Sequence, residues 1–175
     1  MDTIDYIPSP AVDFICRENS EFVTKTVDEL FANKKVIIFS LPGAFTPTCS
    51  AYQLPGFEEK YDEFKSNGID EIYCVSVNDG FVMNAWAKDQ GIKKVKLLPD
   101  GNSYFTRSMG MLVPKFNLGF GERSWRYAII ADDKKILKWF VEDGKGNNVE
   151  TDPYEQTTPE KVLEYIVSTR ILHQS

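Results

Sequence analysis

The sequence predicts an α/β fold, a mixed sheet with helices on both faces and a β-hairpin extension at the N-terminus. Three observations carry this. Apolar runs at Val36–Phe39, EIYCVSVND and VKLLPDGN alternate with helix-like patterns, as parallel crossover units do. The segment WRYAIIADDKKILKWFVED then reads as two strands about an Asp132-Asp133 turn. A final helical pattern closes the chain. Parallel crossovers followed by an antiparallel pair make a mixed sheet.

In chain order, the opening to about Pro10 reads as an irregular lead. AVDFICRE and EFVTKT alternate as two strands joined at Asn19-Ser20. Thr26-x-x-Glu29 fits a capping box opening a short helix through Leu30 and Phe31, or equally a turn. A strand at Val36–Phe39 leads into a turn-rich segment holding Pro42, Gly43 and Pro47. A helix is predicted from about Cys49 to about Asn67, with Tyr52, Phe57, Tyr61 and Phe64 at helical intervals and Pro55-Gly56 kinking or breaking its early part. EIYCVSVND is a buried strand, FVMNAWAKDQG a helix closed by Gly91, VKLLPDGN a strand into a turn, and SYFTRSMGM a short helix or loop. VPKFNLGFGERS, with two glycines and a proline, reads as a loop. GKGNNVETDPYEQ reads as an exposed one. Thr158 caps the last helix, with Pro159 at its first position and Val162, Leu163 and Ile166 inward. This order is the thioredoxin-like arrangement with an added hairpin.

The 175 residues suit one domain over 1–175, with no repeat or low-complexity tract. A net charge of −6, with no Lys/Arg block, argues against nucleic-acid binding. No apolar run approaches the roughly 20 residues that span a bilayer, and the acidic start lacks the features of a signal peptide. Cys16, Cys49 and Cys74 are too few and too scattered for a disulfide framework, so a reducing compartment is expected, the cytoplasm, or an organelle if a targeting segment has been removed. The single histidine, His173, lies two residues from the end, which disfavours Cys–His couples and histidine metal sites. No metal or bound cofactor is expected.

The chain is organised around Lys35 to Ser50, with Cys49 as its point. A strand passing through a tight loop into a helix puts Cys49 near unpaired N–H groups and the positive end of the macrodipole. Such surroundings can draw a thiol well below its ordinary pKa of about 8.5. Three residues before Cys49, where a dithiol enzyme has its second sulfur, stands Thr46. A local disulfide is therefore closed off, and a single thiol attacking a small electrophile is favoured. Lowering the thiol to about 6 would need roughly 3.4 kcal/mol of preferential thiolate stabilisation.

Pro42-Gly43-Ala44-Phe45-Thr46-Pro47-Thr48-Cys49 resembles the peroxiredoxin motif Pro-x-x-x-Thr-x-x-Cys, and FSLPGAFTPTCS is similar to the type-5 (type II) subfamily. VSVNDGFVMNAW, LLPDGNSYFT, MGML and GERSWRYAII extend the resemblance over roughly Val12 to Ile166. The resemblance implies that Cys49 is the peroxidatic cysteine and that Thr46 hydrogen-bonds the thiolate and the peroxide. It implies that Pro42 shields the site and that Arg126, rather than neighbouring Arg123, reaches the thiolate from the sheet. It also implies a homodimer through loops bordering the site. Where many relatives have histidine four residues after the cysteine, this chain has Gln53, which cannot titrate. No cysteine follows Cys74, and the chain carries no fused glutaredoxin domain, so a stand-alone, one-cysteine cycle is expected. An external thiol would resolve the sulfenic acid, glutathione with glutaredoxin first and thioredoxin second. Cys74 is expected in the core, and Cys16 on the hairpin is left open.

Two other readings stand beside a thiol peroxidase acting on hydrogen peroxide and small organic hydroperoxides. One is a redox sensor that passes oxidation from Cys49 to a partner protein. The other is a non-catalytic thioredoxin-like binding module, disfavoured by the joint presence of Cys49, Thr46 and Arg126.

Overall fold

Alternating side chains divide the core between the two faces of a five-stranded sheet. The structure, a computed structural model, describes residues 3–8 and 13–174, with side chains to residue 170. Strands β3 (Lys35–Ser40), β4 (Glu71–Ser76), β5 (Lys96–Pro99), β8 (Tyr127–Asp132) and β9 (Lys135–Val141) lie in the order β5-β4-β3-β8-β9. β3–β4 and β4–β5 pair in parallel, while β3–β8 and β8–β9 pair antiparallel, so the expected mixed sheet is present. Val36, Ile38, Tyr73, Val75, Ile129 and Ala131 face one core. Ile37, Phe39, Ile72, Cys74, Ala128 and Ile130 face the other. This is the period-2 alternation of a sheet covered on both sides.

The hairpin β1 (Asp13–Glu18) and β2 (Glu21–Thr26) turns through Asn19 and Ser20 at φ of 49° and 65°, as a type I′ turn requires. Ala11 and Val12, expected in its first strand, lie outside the described residues. Thr26 Oγ1 accepts from Glu29 N–H at 3.1 Å, and α1 (Val27–Phe31) is a helix rather than a turn. With Phe105 from α5 (Tyr104–Ser108), it covers the first core. The opposite face carries α2 (Leu54–Glu59), α3 (Tyr61–Ser66), α4 (Gly80–Asp89) and α6 (Pro159–Gln174). Asp79 caps α4 through Val82 N–H at 3.0 Å, and Thr158 Oγ1 accepts from Lys161 N–H at 3.2 Å.

Three expectations change. The helix expected over Cys49 to Asn67 begins as a π-turn, Cys49–Gln53, and is interrupted again at Lys60 between α2 and α3. Pro55 lacks an N–H, and its ring crowds the carbonyl four residues back. The wider turn just ahead of it relieves that clash. The expected loop VPKFNLGFGERS contains a two-stranded sheet, β6 (Leu112–Pro114) and β7 (Glu122–Ser124). The β8–β9 turn falls on Asp133-Lys134, one residue later than expected, with φ of 47° and 68°. In an Asp-Asp-Lys-Lys run either pair fits the turn, and the register that buries Ile136 selects this one. The lead is irregular over the described residues 3–8, as expected, and it is tied to the sheet: Ile7 is buried, its N–H bonds Lys134 O at 2.8 Å, and Ile136 N–H bonds Asp5 O at 2.8 Å. Among the described residues no helix is long and apolar enough to cross a membrane.

Candidate active site

Cys49 lies beyond the carboxyl end of β3, where open α/β sheets build their sites. The loop leading to it is pinned from three sides. Asn78, after β4, accepts from Ala44 N–H at 3.0 Å, and Arg123 Nη1 donates to Pro42 O at 3.1 Å. Trp86 on α4 donates Nε1–H to Ser50 Oγ at 2.9 Å. A Cβ on Gly43 would meet the Arg123 guanidinium and push it off the Pro42 carbonyl. Helical structure starts at Pro47, and its first bond runs from Ser50 N–H to Thr46 O at 3.0 Å. The N–H groups of Thr48 and Cys49 fall ahead of that bond, free to donate elsewhere.

The Cys49 side chain is fully buried, and the Arg126 side chain is 1% exposed. Arg126 Nη1 lies 3.4 Å from Cys49 Sγ and also donates to Gln53 Oε1. Its Nη2 pairs with Asp152 Oδ1 at 2.6 Å and its Nε donates to Pro153 O at 3.2 Å. The Tyr154 ring lies 5.6 Å from the guanidinium carbon. Burial opposes the Arg126 charge, but the Cys49 sulfur and Asp152 outweigh it, and the guanidinium pKa is raised overall. Of the two candidate arginines, Arg126 touches the sulfur. Arg123 bonds Pro42 and Phe120 carbonyls instead.

Pro42 is buried at the edge of a narrow crevice shared with Lys115, Trp125, Arg126, Asp152 and Pro153. Thr46 stands apart from expectation. Its hydroxyl donates to Gly43 O at 2.7 Å rather than to the sulfur, so it turns lone pairs, not a proton, to its surroundings. The tight turn from Gly43 to Thr46 puts that carbonyl nearest.

Cys74 lies in the same core as Cys49, and burial drives its thiol pKa well up. Cys16 is buried in the other core, across the sheet, and burial raises its pKa as well. Lys115, Asp152 and Pro153 were not anticipated from the sequence. Lys115 follows β6 directly and is 3% exposed, with its Nζ 5.5 Å from the Trp125 ring centre. Burial lowers its pKa, against the pull of Asp152. Among the described residues no group of three or more His, Cys, Asp or Glu is placed to hold a metal ion.

A thioredoxin-like sheet with a buried cysteine held against a guanidinium at a strand's carboxyl end is the arrangement of a thiol oxidoreductase. The Redoxin family matches residues 8–157. A peroxiredoxin of Rhizobium etli is 56% identical over 163 residues, 88% of this chain and 91% of the relative. Among solved structures, the Plasmodium falciparum antioxidant protein, a 1-Cys peroxiredoxin, aligns at TM-score 0.89 and 44% identity, over 96% of this chain and 99% of that one. Reduced Prx3 of Vibrio vulnificus, in complex with hydrogen peroxide, aligns at TM-score 0.84 and 36% identity, over 95% and 99%. The chain belongs to the peroxiredoxins and is a thiol peroxidase.

Proposed function

We propose that this peroxiredoxin reduces hydrogen peroxide and small organic hydroperoxides at Cys49 and regains its thiol from an external thiol. Glutathione with glutaredoxin is the first choice of reductant and thioredoxin the second. The observation that carries the reading is the 3.4 Å contact of Arg126 Nη1 with Cys49 Sγ, both buried. The Cys49 thiolate attacks one peroxide oxygen. An S–O bond forms as the O–O bond breaks, and the departing oxygen takes a proton and leaves as water or alcohol. Charge moves from sulfur to that oxygen, so fixed donors around both atoms lower the barrier with little reorganisation. Arg126 and the N–H groups of Thr48 and Cys49 are such donors. Thr46, its own proton held by Gly43, accepts from the peroxide O–H and orients it. Pro42 keeps water from one side.

Resolution within the chain is disfavoured, because Cys16 lies across the sheet and Cys74 is locked in packed core. The Plasmodium relative described as 1-Cys, and the Vibrio relative holding hydrogen peroxide, support the cycle and the substrate. Three scattered cysteines, too few for a disulfide framework, fit a cytoplasmic setting. A homodimer through loops bordering the site completes the reading. Phe45 and Tyr52, both exposed, flank Cys49 in the chain and would supply apolar contact there.

The test is steady-state peroxide consumption with each reductant at equal concentration. Faster turnover with glutathione and glutaredoxin is expected. Faster turnover with thioredoxin reverses the preference. Rapid Cys49 oxidation without turnover in either system favours the sensor that hands oxidation to a partner protein.

A further inference from the structure

Glu142 is 1% exposed, takes no part in the peroxide chemistry above, and has no cation bonded to its carboxylate among the described residues. Such a group is expensive to bury unless donors surround it. Here five hydrogen bonds reach it, all from the strand's following loop. Oε1 accepts from the N–H groups of Glu155 (2.9 Å) and Gln156 (3.0 Å). Oε2 accepts from Gln156 N–H (2.9 Å), Thr157 N–H (2.8 Å) and Thr157 Oγ1 (2.7 Å). Both oxygens accept, so the cradle is shaped for the carboxylate rather than the acid.

The backbone of the same residue turns the other way. Glu142 N–H bonds Arg126 O at 3.2 Å, and Glu142 O accepts from Trp125 Nε1 at 2.8 Å. A closed circuit results. The Arg126 guanidinium holds Asp152 and Pro153. Two to five residues further on, the chain is held by the Glu142 carboxylate, and Glu142 is bonded back to Arg126 itself. Without that carboxylate, the stretch carrying two of the four groups bonded to the guanidinium would lose its anchor.

We propose that Glu142 is a positioning residue that holds the Asp152–Pro153 segment against Arg126, and so fixes the guanidinium on Cys49. The proposal rests on the peroxidase reading of Cys49 and Arg126. In Glu142→Gln one oxygen becomes an NH₂ that meets N–H donors it cannot accept, so the cradle opens although the size is kept.

The experiment follows the pH dependence of thiolate ultraviolet absorbance, taken as the difference from Cys49→Ser, together with the rate of peroxide oxidation. Glu142→Gln is expected to raise the titration midpoint by about 0.5–1 pH unit and slow oxidation about three- to tenfold. Thr157→Val, which removes one bond of the five, shifts both in the same direction by less and guards against a Glu142 variant that fails to fold. Phe14→Leu, in the core across the sheet, lowers Tm but leaves the midpoint in place. If Arg126→Gln moves the midpoint while Glu142→Gln and Thr157→Val lower only Tm, the proposal falls and the peroxidase reading stands. If none of them moves it, both fall together.

Discussion

Arg126 divides its guanidinium among the Cys49 sulfur, the Gln53 amide oxygen, the Asp152 carboxylate and the Pro153 carbonyl. That division fixes a planar fork in one orientation, which lysine could not reproduce. Arg126→Gln is expected to move the Cys49 titration midpoint upward and to slow peroxide oxidation by roughly a hundredfold, the usual scale for removing one transition-state donor. Stopped-flow oxidation and a pH titration of the two proteins check both. Arg126→Lys should recover part of the shift in midpoint, because the charge returns, but little of the rate. Cys49 and Arg126 could be read from the sequence because PGAFTPTC and GERSWRYAII resemble peroxiredoxin segments, and that resemblance implies both roles. Asp152 and Pro153 could not, since their approach depends on the path of a loop whose polar composition signals only exposure. Gln53 was visible as a departure. Its role as the acceptor for Arg126 Nη1 emerged only from the π-turn that aims it.

The elements most easily read were those with one strong signal: the Asn19-Ser20 turn, the Thr26 and Thr158 caps, and the apolar strands. Those misread carried two signals in conflict. The break expected at Pro55-Gly56 takes the form of a π-turn, and the helical spacing of Phe57 and Phe64 masked the second break at Lys60. The glycines of VPKFNLGFGERS masked a strand pair of three residues each. That pair leads directly to Lys115, whose ammonium is buried on Trp125 with no ion pair among the described residues. Burying an unpaired charge opposes stability. Lys115→Met is therefore expected to raise Tm by about 2–4 °C, equivalent to roughly 1 kcal/mol in a chain of this size. The sign with pH follows from the lowered folded-state pKa. Between that value and about 10.5 the unfolded chain binds more protons, so wild-type stability rises with pH and the advantage of the variant shrinks. Thermal melts across neutral to alkaline pH check this; a gap that widens with pH would contradict it.

Across the whole molecule, the sheet keeps Cys16 from Cys49, and burial keeps Cys74, which shares a core with Cys49, from reacting. The separation of two cores follows from period-2 alternation, and the mixed sheet from parallel crossovers followed by a hairpin, which is why the architecture was legible before any loop was. Cys16 faces one core and Cys49 the other, while Cys74 is held protonated by burial. At neutral pH a peroxide should therefore oxidise Cys49 alone, and Cys49→Ser should abolish peroxidase activity while the two remaining thiols stay reduced. The most direct test treats the reduced protein with one equivalent of hydrogen peroxide, then with glutathione, and maps each product by mass. One added oxygen on Cys49, replaced by a glutathione mixed disulfide, is the expected sequence. A disulfide from Cys49 to Cys16 or Cys74, or oxygen gained at either of those cysteines first, would contradict it.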